Sequence, residues 1–308
     1  MVMSKDQQTS TADRLARVLP MLRCPKSGAS LSLEGDELRT GDGSFSYPCK
    51  AGIPDLRSAP SELSIRRPWY EPWDDLETVR LAEPEVTVET SHLPYHLDKY
   101  LASIAGNDGE GKSILEVGCG DRQCESWFNE RQFNYVGTDV DIRGPGPHLM
   151  ADAHNLPFAD ESFDFYTSMA VYEHLVSPLT AAQEAYRVLK PGGVFFGSSA
   201  FVYCFHDRAS FHHMSHAGLL YILRVAGFDV DRLWPDWDYQ DAIPQMGFRG
   251  GIAAPWRALI SSTLRFSEWS FIKTSNLARR IVGKPLINQF ERRLHTAGSI
   301  SFVARRPD

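Results

Sequence analysis

The sequence predicts an α/β protein built on a mostly parallel sheet with helices on its faces. From residue 113 onward, short apolar segments typical of strands alternate with segments of helical periodicity. This alternation indicates parallel strands joined by helical crossovers. The first apolar segment ends in a glycine-rich loop containing Gly118 and Gly120, and the second ends in Asp139. Glycines after one strand and an acid after the next are typical of a nucleotide-binding sheet edge.

Each element can be assigned from its pattern. Strands are predicted at SILEV, FNYVGTD, the stretch around 148–151, SFDFYTSM, GVFFGSS, FDVDRLW and the C-terminal SISFVARR. Helices are predicted at 95–104, AAQEAYRVL, HAGLLYILRVAG and around 256–282, where apolar residues recur at helical spacing.

The chain divides into four parts. Residues 1–20 form a tail, and the turn-rich residues 21–57 form a small β unit with strands near 30–33, 37–40 and 45–47. Residues 58–94 are rich in Pro, Trp and acids, which indicates a linker. Residues 95–308 form the main domain, with a helical cap inserted at 235–297, before the last strand.

Composition narrows the class of protein. The chain has 308 residues, 43% of them hydrophobic and 23% charged, as in ordinary globular proteins. The net charge of −7 argues against nucleic acid as the main partner. The five cysteines are odd in number and lack the spacing of a disulfide framework. With a polar N-terminus and no apolar run near the ~18 residues of a membrane span, we expect a cytoplasmic protein.

The charge is unevenly distributed. Residues 251–295 contain eight basic residues and two acids and therefore carry +6, so the rest of the chain carries −13. A solvated helical face is one interpretation. The other is a surface for an anionic acceptor or for membrane headgroups, which would allow peripheral membrane contact through 251–295.

Two cofactors compete for the glycine-rich loop. A dinucleotide site needs a third glycine where Gln123 stands. A diphosphate also needs close backbone N–H donors, whereas the ammonium and sulfonium of S-adenosyl-L-methionine favour nearby acids. Glu116 and Asp139 supply such acids, so the loop favours S-adenosyl-L-methionine over NAD.

The successive motifs ILEVGCG, GTDVD, ADAHNLPFADESFDFYTS and RVLKPGGVFF resemble those of class I S-adenosylmethionine-dependent methyltransferases, in particular the small-molecule group that includes ubiquinone-biosynthesis enzymes. The resemblance covers about 95–234 and the final strand. It implies a Rossmann-like sheet of seven strands, the last of them antiparallel. It also implies the cofactor-binding residues: Glu116, Gly118 and Gly120 at the methionine and ribose, Asp139 at the ribose hydroxyls, and Asp152 with the Ala153 backbone at the adenine. One departure is Arg122, which stands where the family often has a third glycine.

The N-terminal unit resembles the small zinc-ribbon domain that accompanies some RNA and protein methyltransferases. The matching pieces are Cys24-Pro25, Tyr47-Pro48 and Gly52-Ile53-Pro54. A zinc ribbon needs four ligands in two close pairs, but Ser27 and Thr40 stand where cysteines would fall. We therefore expect a degenerate, metal-free ribbon, and no metal elsewhere in the chain.

Methyl transfer to oxygen requires a base, and histidine is the usual candidate. His174 follows the fourth strand, and His206 follows the fifth, so both are expected at the carboxyl edge of the sheet. His212, His213 and His216 can reach the same edge, and His174 can also be a structural residue of its loop. The sequence proposes His174 and His206 as catalytic and leaves the choice between them open.

These observations predict a methyltransferase that acts on a small or lipid-linked acceptor, most readily at oxygen: a sugar, a glycolipid or a secondary metabolite. The alternatives are a non-catalytic partner protein that binds S-adenosylmethionine or a nucleotide, and an RNA methyltransferase.

Overall fold

The computed structural model describes residues 19, 22–24, 26–50, 53–54, 56, 79–207, 209–247 and 254–308. Of the predicted tail, only Leu19 is among these residues. Of the predicted linker, only residues 79–94 are among them. The chain forms two compact units, Met1–Asp74 and Asp75–Asp308. No helix among the described residues is long and apolar enough to cross a membrane.

The first unit contains a small antiparallel sheet, as predicted. Its strands are β1 (Leu31–Glu34), β2 (Glu37–Thr40), β3 (Ser46–Lys50) and β4 (Ile53–Pro54), in that spatial order. Cys24, Leu31, Leu38 and Tyr47 form its small buried core. The Cys24 Sγ lies 3.1 Å from the Tyr47 hydroxyl. Its likeness to a zinc ribbon stays a prediction.

The second unit is organised by one large sheet in the order β5-β11-β12-β10-β9-β6-β7-β8. The strands are β5 (Arg80–Leu81), β6 (Ser113–Val117), β7 (Asn134–Asp139), β8 (Leu149–Met150), β9 (Phe163–Met169), β10 (Leu189–Ala200), β11 (Asp229–Trp237) and β12 (Ser299–Arg305). All pairs are parallel except those of β12, which runs antiparallel between β10 and β11. The predicted fold class is confirmed, including the antiparallel last strand.

The sheet has one strand more than the seven expected. The addition is β5, two residues within the segment predicted as a linker, which pairs parallel with β11. A strand of two residues has no hydrophobic period, so it could not be assigned from the sequence. Its position covers part of the exposed edge of β11.

Seven helices are assigned in the described part of this unit. They are α1 (Lys99–Ala105), α2 (Glu125–Glu130), α3 (Pro178–Val188), α4 (His216–Val225), α5 (Tyr239–Gly247), α6 (Ala254–Ile281) and α7 (Gln289–Thr296). Four begin at side chains that accept hydrogen bonds from the first-turn backbone: Asp98, Ser177, Ser215 and Asn288. These are the residue types that favour helix starts, because their oxygens satisfy otherwise unpaired N–H groups.

The cap consists of α5, α6 and α7, as the helical insertion predicted. Helix α6 packs through Ser261 and Ile272, its two buried residues, and Arg265 and Glu268 bond Asp241 and Gln240 of α5. Large apolar side chains of α6 are exposed: Trp256, Leu259, Phe266, Trp269, Phe271, Leu277 and Ile281. The contacts of α6 with α5 are made by charged side chains, Arg265 and Glu268, because their partners on α5 are polar.

A testable consequence concerns the end of α3. The Arg306 guanidinium donates to the carbonyls of Tyr186, Arg187 and Leu189, at 3.1, 3.3 and 2.6 Å. These are carbonyls that a helix end otherwise leaves without a partner. We expect Arg306→Leu to lower the free energy of unfolding by about 1–3 kcal/mol, the range for losing charge-assisted hydrogen bonds.

Chemical denaturation measures the change, and Arg305→Leu is the matched control because Arg305 is exposed. Equal losses in the two variants would contradict this role of Arg306.

Candidate active site

A loop between β6 and α2 forms the centre of the predicted cofactor site. The Gly118 and Cys119 N–H groups both donate to the Thr138 carbonyl, at 2.8 and 3.0 Å. The Asp139 carboxylate at the end of β7 accepts from the Gly120 N–H at 2.9 Å and from the Asp141 N–H at 3.0 Å. These bonds fix the loop at the carboxyl edge of the two strands, where ligands bind in open α/β sheets.

Backbone conformation explains the two glycines. Gly118 has φ +78°, and a Cβ there would lie 2.2 Å from the Val171 Cγ2. Gly120 has φ +55°, and a Cβ there would meet no atom within 4 Å, so its backbone faces open space. The first glycine is thus required by close packing and the second by conformation, which leaves the Gly120 backbone open to a ligand.

Arg122 occupies the position where the family often has a third glycine. It adopts φ +60°, in the left-handed region that favours glycine. Its guanidinium donates to the Gly146 carbonyl at 2.6 Å and pairs with Glu125 at 3.0 Å. These contacts hold the side chain against the loop after β7, so the loop keeps its turn without the glycine.

Glu116 is buried beneath the loop, with 5% of its surface exposed. Its carboxyl accepts from the Tyr135 hydroxyl at 2.5 Å. Burial raises the pKa of Glu116 to about 7 despite the hydrogen bonds from Tyr135 and Cys124 that lower it. The protonated carboxyl therefore coexists with the native fold near neutral pH. Its predicted place at the methionine stays a prediction.

Asp152 and Ala153 lie in the turn after β8. Ala153 is buried, while the Asp152 side chain is 63% exposed. Hydrogen bonds from the backbone and ring of His154 hold the pKa of Asp152 below its usual range. The His154 Nδ1 lies 2.6 Å from the Asp152 Oδ1, and its Nε2 accepts from the Ser177 N–H at 3.1 Å. His154, which the sequence reading overlooked, therefore orients this acid against the start of α3.

The two candidate bases lie together. The His174 and His206 rings are 4.7 Å apart, centre to centre. The His174 Nδ1 contacts the Ala209 carbonyl, and the His206 Nδ1 lies 2.9 Å from the Cys204 carbonyl. A carbonyl oxygen can only accept, so each Nδ1 carries the proton and each Nε2 keeps a lone pair in the neutral ring. Both histidines therefore have the tautomer that a base acting through Nε2 requires.

Of the other three histidines considered in the sequence, two lie apart from the His174–His206 pair. The His213 ring lies 5.8 Å from that of His206, and burial, together with the nearby His206, lowers the pKa of His213. The His212 Nε2 lies 3.3 Å from the Val176 carbonyl. His216 begins α4 and stacks on His295 at 5.4 Å. Only His213 joins the pair.

Two aromatic residues that were not predicted extend this cluster toward the cap. The Tyr203 ring lies 5.0 Å from the His206 ring and 5.1 Å from the Trp237 ring. Trp237 ends β11 and lines a cavity of about 380 Å³ between α5 and α6. Arg257, Arg265 and polar residues line the rest of it: Asp241, Gln245, Ser261 and Ser262. No motif marks these residues, because their proximity depends on how the cap folds.

A second acid, Asp236, lies beside the start of α1. Burial and the neighbouring Asp98 carboxylate raise the pKa of Asp236 to about 8, although the Ser299 hydroxyl donates to it at 2.9 Å. A protonated Asp236 can donate to Asp98, whose other partners are the Tyr100 and Leu101 N–H groups. The pair fastens the start of α1 to the end of β11.

Comparison with known proteins decides the family. A family model described as a methyltransferase domain matches residues 90–246, which is half of the chain and includes the whole glycine-rich loop. The chain belongs to this family of methyltransferase domains. The sequence-based identification as a class I methyltransferase domain, for which S-adenosylmethionine is the cofactor, is therefore confirmed.

Relatives of the methyltransferase domain match it over shorter lengths. An uncharacterized methyltransferase of Mycobacterium sp. (strain KMS) is 37% identical over 93 residues, which cover 27% of this chain and 37% of that protein. A protein of Mycolicibacterium smegmatis described as a probable S-adenosylmethionine-dependent methyltransferase is 30% identical over 141 residues, covering 39% and 53%. The chain thus matches about half or less of these relatives' lengths.

Among solved structures, an S-adenosylmethionine-dependent methyltransferase from Mesorhizobium loti has 16% sequence identity and a TM-score of 0.41. The match covers 65% of this chain and 93% of that one.

A pH-dependent stability follows from Glu116 of the methyltransferase domain. Its folded pKa of about 7 exceeds the ordinary value of 4.5. Between these two values the folded state binds a proton that the unfolded state has lost, so stability falls as pH rises and is constant above about 7. The total contribution is about 3 kcal/mol.

Glu116→Gln cannot titrate, so the wild-type protein should lose about 3 kcal/mol relative to this variant between pH 4.5 and 7. Denaturant unfolding across this pH range measures the difference. A constant difference between the two proteins would contradict the raised pKa.

Proposed function

We propose that this chain transfers the methyl group of S-adenosylmethionine to a hydroxyl of a small or lipid-linked acceptor. The observation that carries the proposal is the histidine pair: the Nε2 lone pairs of His174 and His206 sit at the same sheet edge as the glycine-rich loop, after β9 and β10. A sugar, a glycolipid or a secondary metabolite fits this site.

The residues around the glycine-rich loop are suited to bind S-adenosylmethionine. The Asp139 carboxylate oxygens each accept one backbone N–H and keep further lone pairs for the ribose hydroxyls. The Gly120 backbone faces open space, and Asp152 is oriented and exposed for the adenine edge. Glu116, Gly118 and Ala153 complete the set that the family resemblance proposes. When bound, S-adenosylmethionine supplies an activated methyl group at its sulfonium.

A histidine on the acceptor side of the site would remove the proton of the acceptor hydroxyl. As the acceptor oxygen forms its bond to the methyl carbon and the bond from that carbon to sulfur breaks, with S-adenosylhomocysteine as the leaving group, the hydroxyl proton would pass to the Nε2 of His206 or His174. The Nδ1–H of His174 donates to the Ala209 carbonyl and that of His206 to the Cys204 carbonyl, and these hydrogen bonds hold both rings in orientation. Tyr203 and Trp237 would form an apolar wall between the bases and the cap.

The cap supports an anionic acceptor. Arg257 and Arg265 line the cavity that begins at Trp237, and serines and a glutamine supply further donors. Arg265 also pairs with Asp241, so part of its charge is already balanced. A phosphate or carboxylate group on the acceptor would compete for this arginine with Asp241, which favours a multiply charged group.

The outer face of α6 supports contact with an anionic membrane. At 3.6 residues per turn, Trp256, Leu259, Phe266, Leu277 and Ile281 lie within about 80° of one another around the helix. All five side chains are exposed.

Cations accompany this apolar stripe. The Lys273 Nζ lies 4.3 Å from the centre of the Trp269 ring. Among the described residues, no carboxylate lies within ion-pair distance of Lys273, Arg280 or Lys284. Each such cation near an anionic surface contributes about 1 kcal/mol.

The central claim is tested through Asp139. We expect Asp139→Ala to weaken binding of S-adenosylmethionine by about 1–3 kcal/mol, roughly 5- to 150-fold in Kd, because a charged hydrogen-bond partner is lost. Isothermal titration calorimetry measures the affinity. Asp141→Ala is the control, because Asp141 contacts Asp139 through its backbone N–H only.

The same two variants test the reaction. Cell extract incubated with wild-type protein and methyl-labelled S-adenosylmethionine should accumulate label in small molecules or lipids, and Asp139→Ala should reduce it. Label found in RNA alone, or calorimetry with binding of NAD and not of S-adenosylmethionine, would refute the proposal.

The cap is tested by charge reversal. Once an acceptor is known, Arg257→Glu together with Arg265→Glu should raise its KM and leave the affinity for S-adenosylmethionine unchanged, because the cavity loses its cations. Lys284→Glu, outside the cavity, is the control.

Flotation with phosphatidylserine-containing vesicles tests the outer face. The wild-type protein should float in a salt-sensitive manner, and Leu259→Glu with Phe266→Glu should abolish flotation. If neither KM nor flotation changes in these variants, the cap is only a solvated face.

A further inference from the structure

We propose that Glu173, His174 and His206 form a binding site for one divalent transition-metal ion, such as Zn²⁺, Co²⁺ or Mn²⁺, on the acceptor side of the methyltransferase domain. One potential ligand atom from each residue lies within 4.8 Å of the other two. No other group of three such residues approaches as closely in the described part of the chain. The inference adds to the proposed function, on which it rests only for the role of the ion.

The two histidines are preset as ligands. Metal-bound histidines commonly donate their second ring N–H to a carbonyl or carboxylate, which fixes the tautomer. Here both Nδ1 atoms face backbone carbonyls, of Ala209 and Cys204, and this leaves the two Nε2 atoms to bind an ion. Both carbonyls belong to the loop after β10, so this one loop orients both histidines.

The Glu173 carboxylate has no close counter-ion among the described residues. Glu173 is 1% exposed, and the Ser199 hydroxyl donates to its Oε2 at 3.2 Å. Among the described residues, its Oε1 has no hydrogen-bond donor, and the His206 Nε2 is 4.0 Å away. Burial of a carboxylate is costly unless a cation balances it. A metal ion between the Glu173 and His206 side chains would supply that cation.

The donor set selects the class of metal. Two imidazoles and one carboxylate suit first-row transition metals and leave coordination positions open for other ligands, whereas Mg²⁺ and Ca²⁺ prefer oxygen alone. Ligands bound at about 2.1 Å lie about 3.4 Å apart on a tetrahedral ion, so side-chain movements of about 1 Å would close the site. Asp207, whose Oδ2 lies 3.7 Å from the His174 Nε2, could provide a further oxygen.

The ion would alter how the acceptor is activated. With both Nε2 atoms bound to metal, neither histidine takes the proton. An acceptor hydroxyl in an open coordination position would instead ionise because the metal lowers its pKa, and its proton would pass to solvent. His174 and His206 would then position the ion instead of acting as bases.

The sequence analysis predicted no metal site in this chain. Glu173 and His174 are adjacent in the sequence, but His206 follows 32 positions after His174. A spacing this long does not mark a metal site in a sequence. The histidines that do cluster in the sequence, His212, His213 and His216, point to different partners.

The test uses the full-length, tag-free protein after removal of metals with a chelator. Co²⁺ is added and followed by its visible d–d absorption, with stoichiometry from equilibrium dialysis. We expect one Co²⁺ per chain, no thiolate-to-cobalt band, and at least a tenfold higher Kd in Glu173→Gln, His174→Ala and His206→Ala. His212→Ala, in the same loop as the site, is the matched control and should bind Co²⁺ like the wild type.

Absence of Co²⁺ binding would overturn the proposal, as would binding that survives in the histidine variants. Binding that disappears only when Cys24 and Cys49 are replaced by serine would assign the ion to the N-terminal unit and also overturn it. Circular dichroism identifies a misfolded variant, and His174→Ala and His206→Ala test the site independently of Glu173→Gln.

S-adenosylmethionine binding measured on the same samples separates the two proposals. Binding of the cofactor without Co²⁺ leaves the histidines as bases and the proposed function intact. Binding of Co²⁺ without the cofactor would reject the proposed function and retain the metal site.

Discussion

Glu173 is the residue through which the acceptor side of the sheet is assembled. Its backbone carbonyl accepts from the Phe211 and His212 N–H groups, at 2.7 and 3.1 Å. Its carboxylate accepts from Ser199 near the end of β10. One residue thus joins the turn after β9, the end of β10 and the loop that contains His206. Any cation balancing this buried carboxylate also fixes the position of His206, so charge and loop conformation are coupled here.

The cofactor side depends on a different kind of constraint. There the backbone itself is the binding element, and Asp139 and Thr138 at the end of β7 hold the loop after β6 by its N–H groups. The two sides meet at Val171, which packs against Gly118 and immediately precedes the 3-10 turn containing Glu173. A change in one side can therefore reach the other through a single apolar contact.

Most of the fold could be predicted from the sequence because its strands are long, apolar and bounded by glycines or acids. The cofactor loop could also be predicted, since Gly118, Gly120 and Asp139 act through backbone geometry that leaves a fixed spacing in the sequence. Strand β5 could not, because two residues have no period. The partners of His174 and His206 could not either: Ala209 and Cys204 act through their backbone carbonyls, which every residue has. The exposure of the apolar face of α6 could not be predicted, because periodicity locates an apolar face without saying what that face meets.

The outward apolar face of α6 has a kinetic consequence for an enzyme held on a lipid surface. Enzyme and lipid-linked acceptor would then meet in two dimensions, and the rate would follow the mole fraction of acceptor in the surface, not its amount per volume. Diluting the acceptor with inert lipid would slow turnover, whereas adding vesicles of the same composition would not. The composition of the bilayer would thus regulate turnover at the active site.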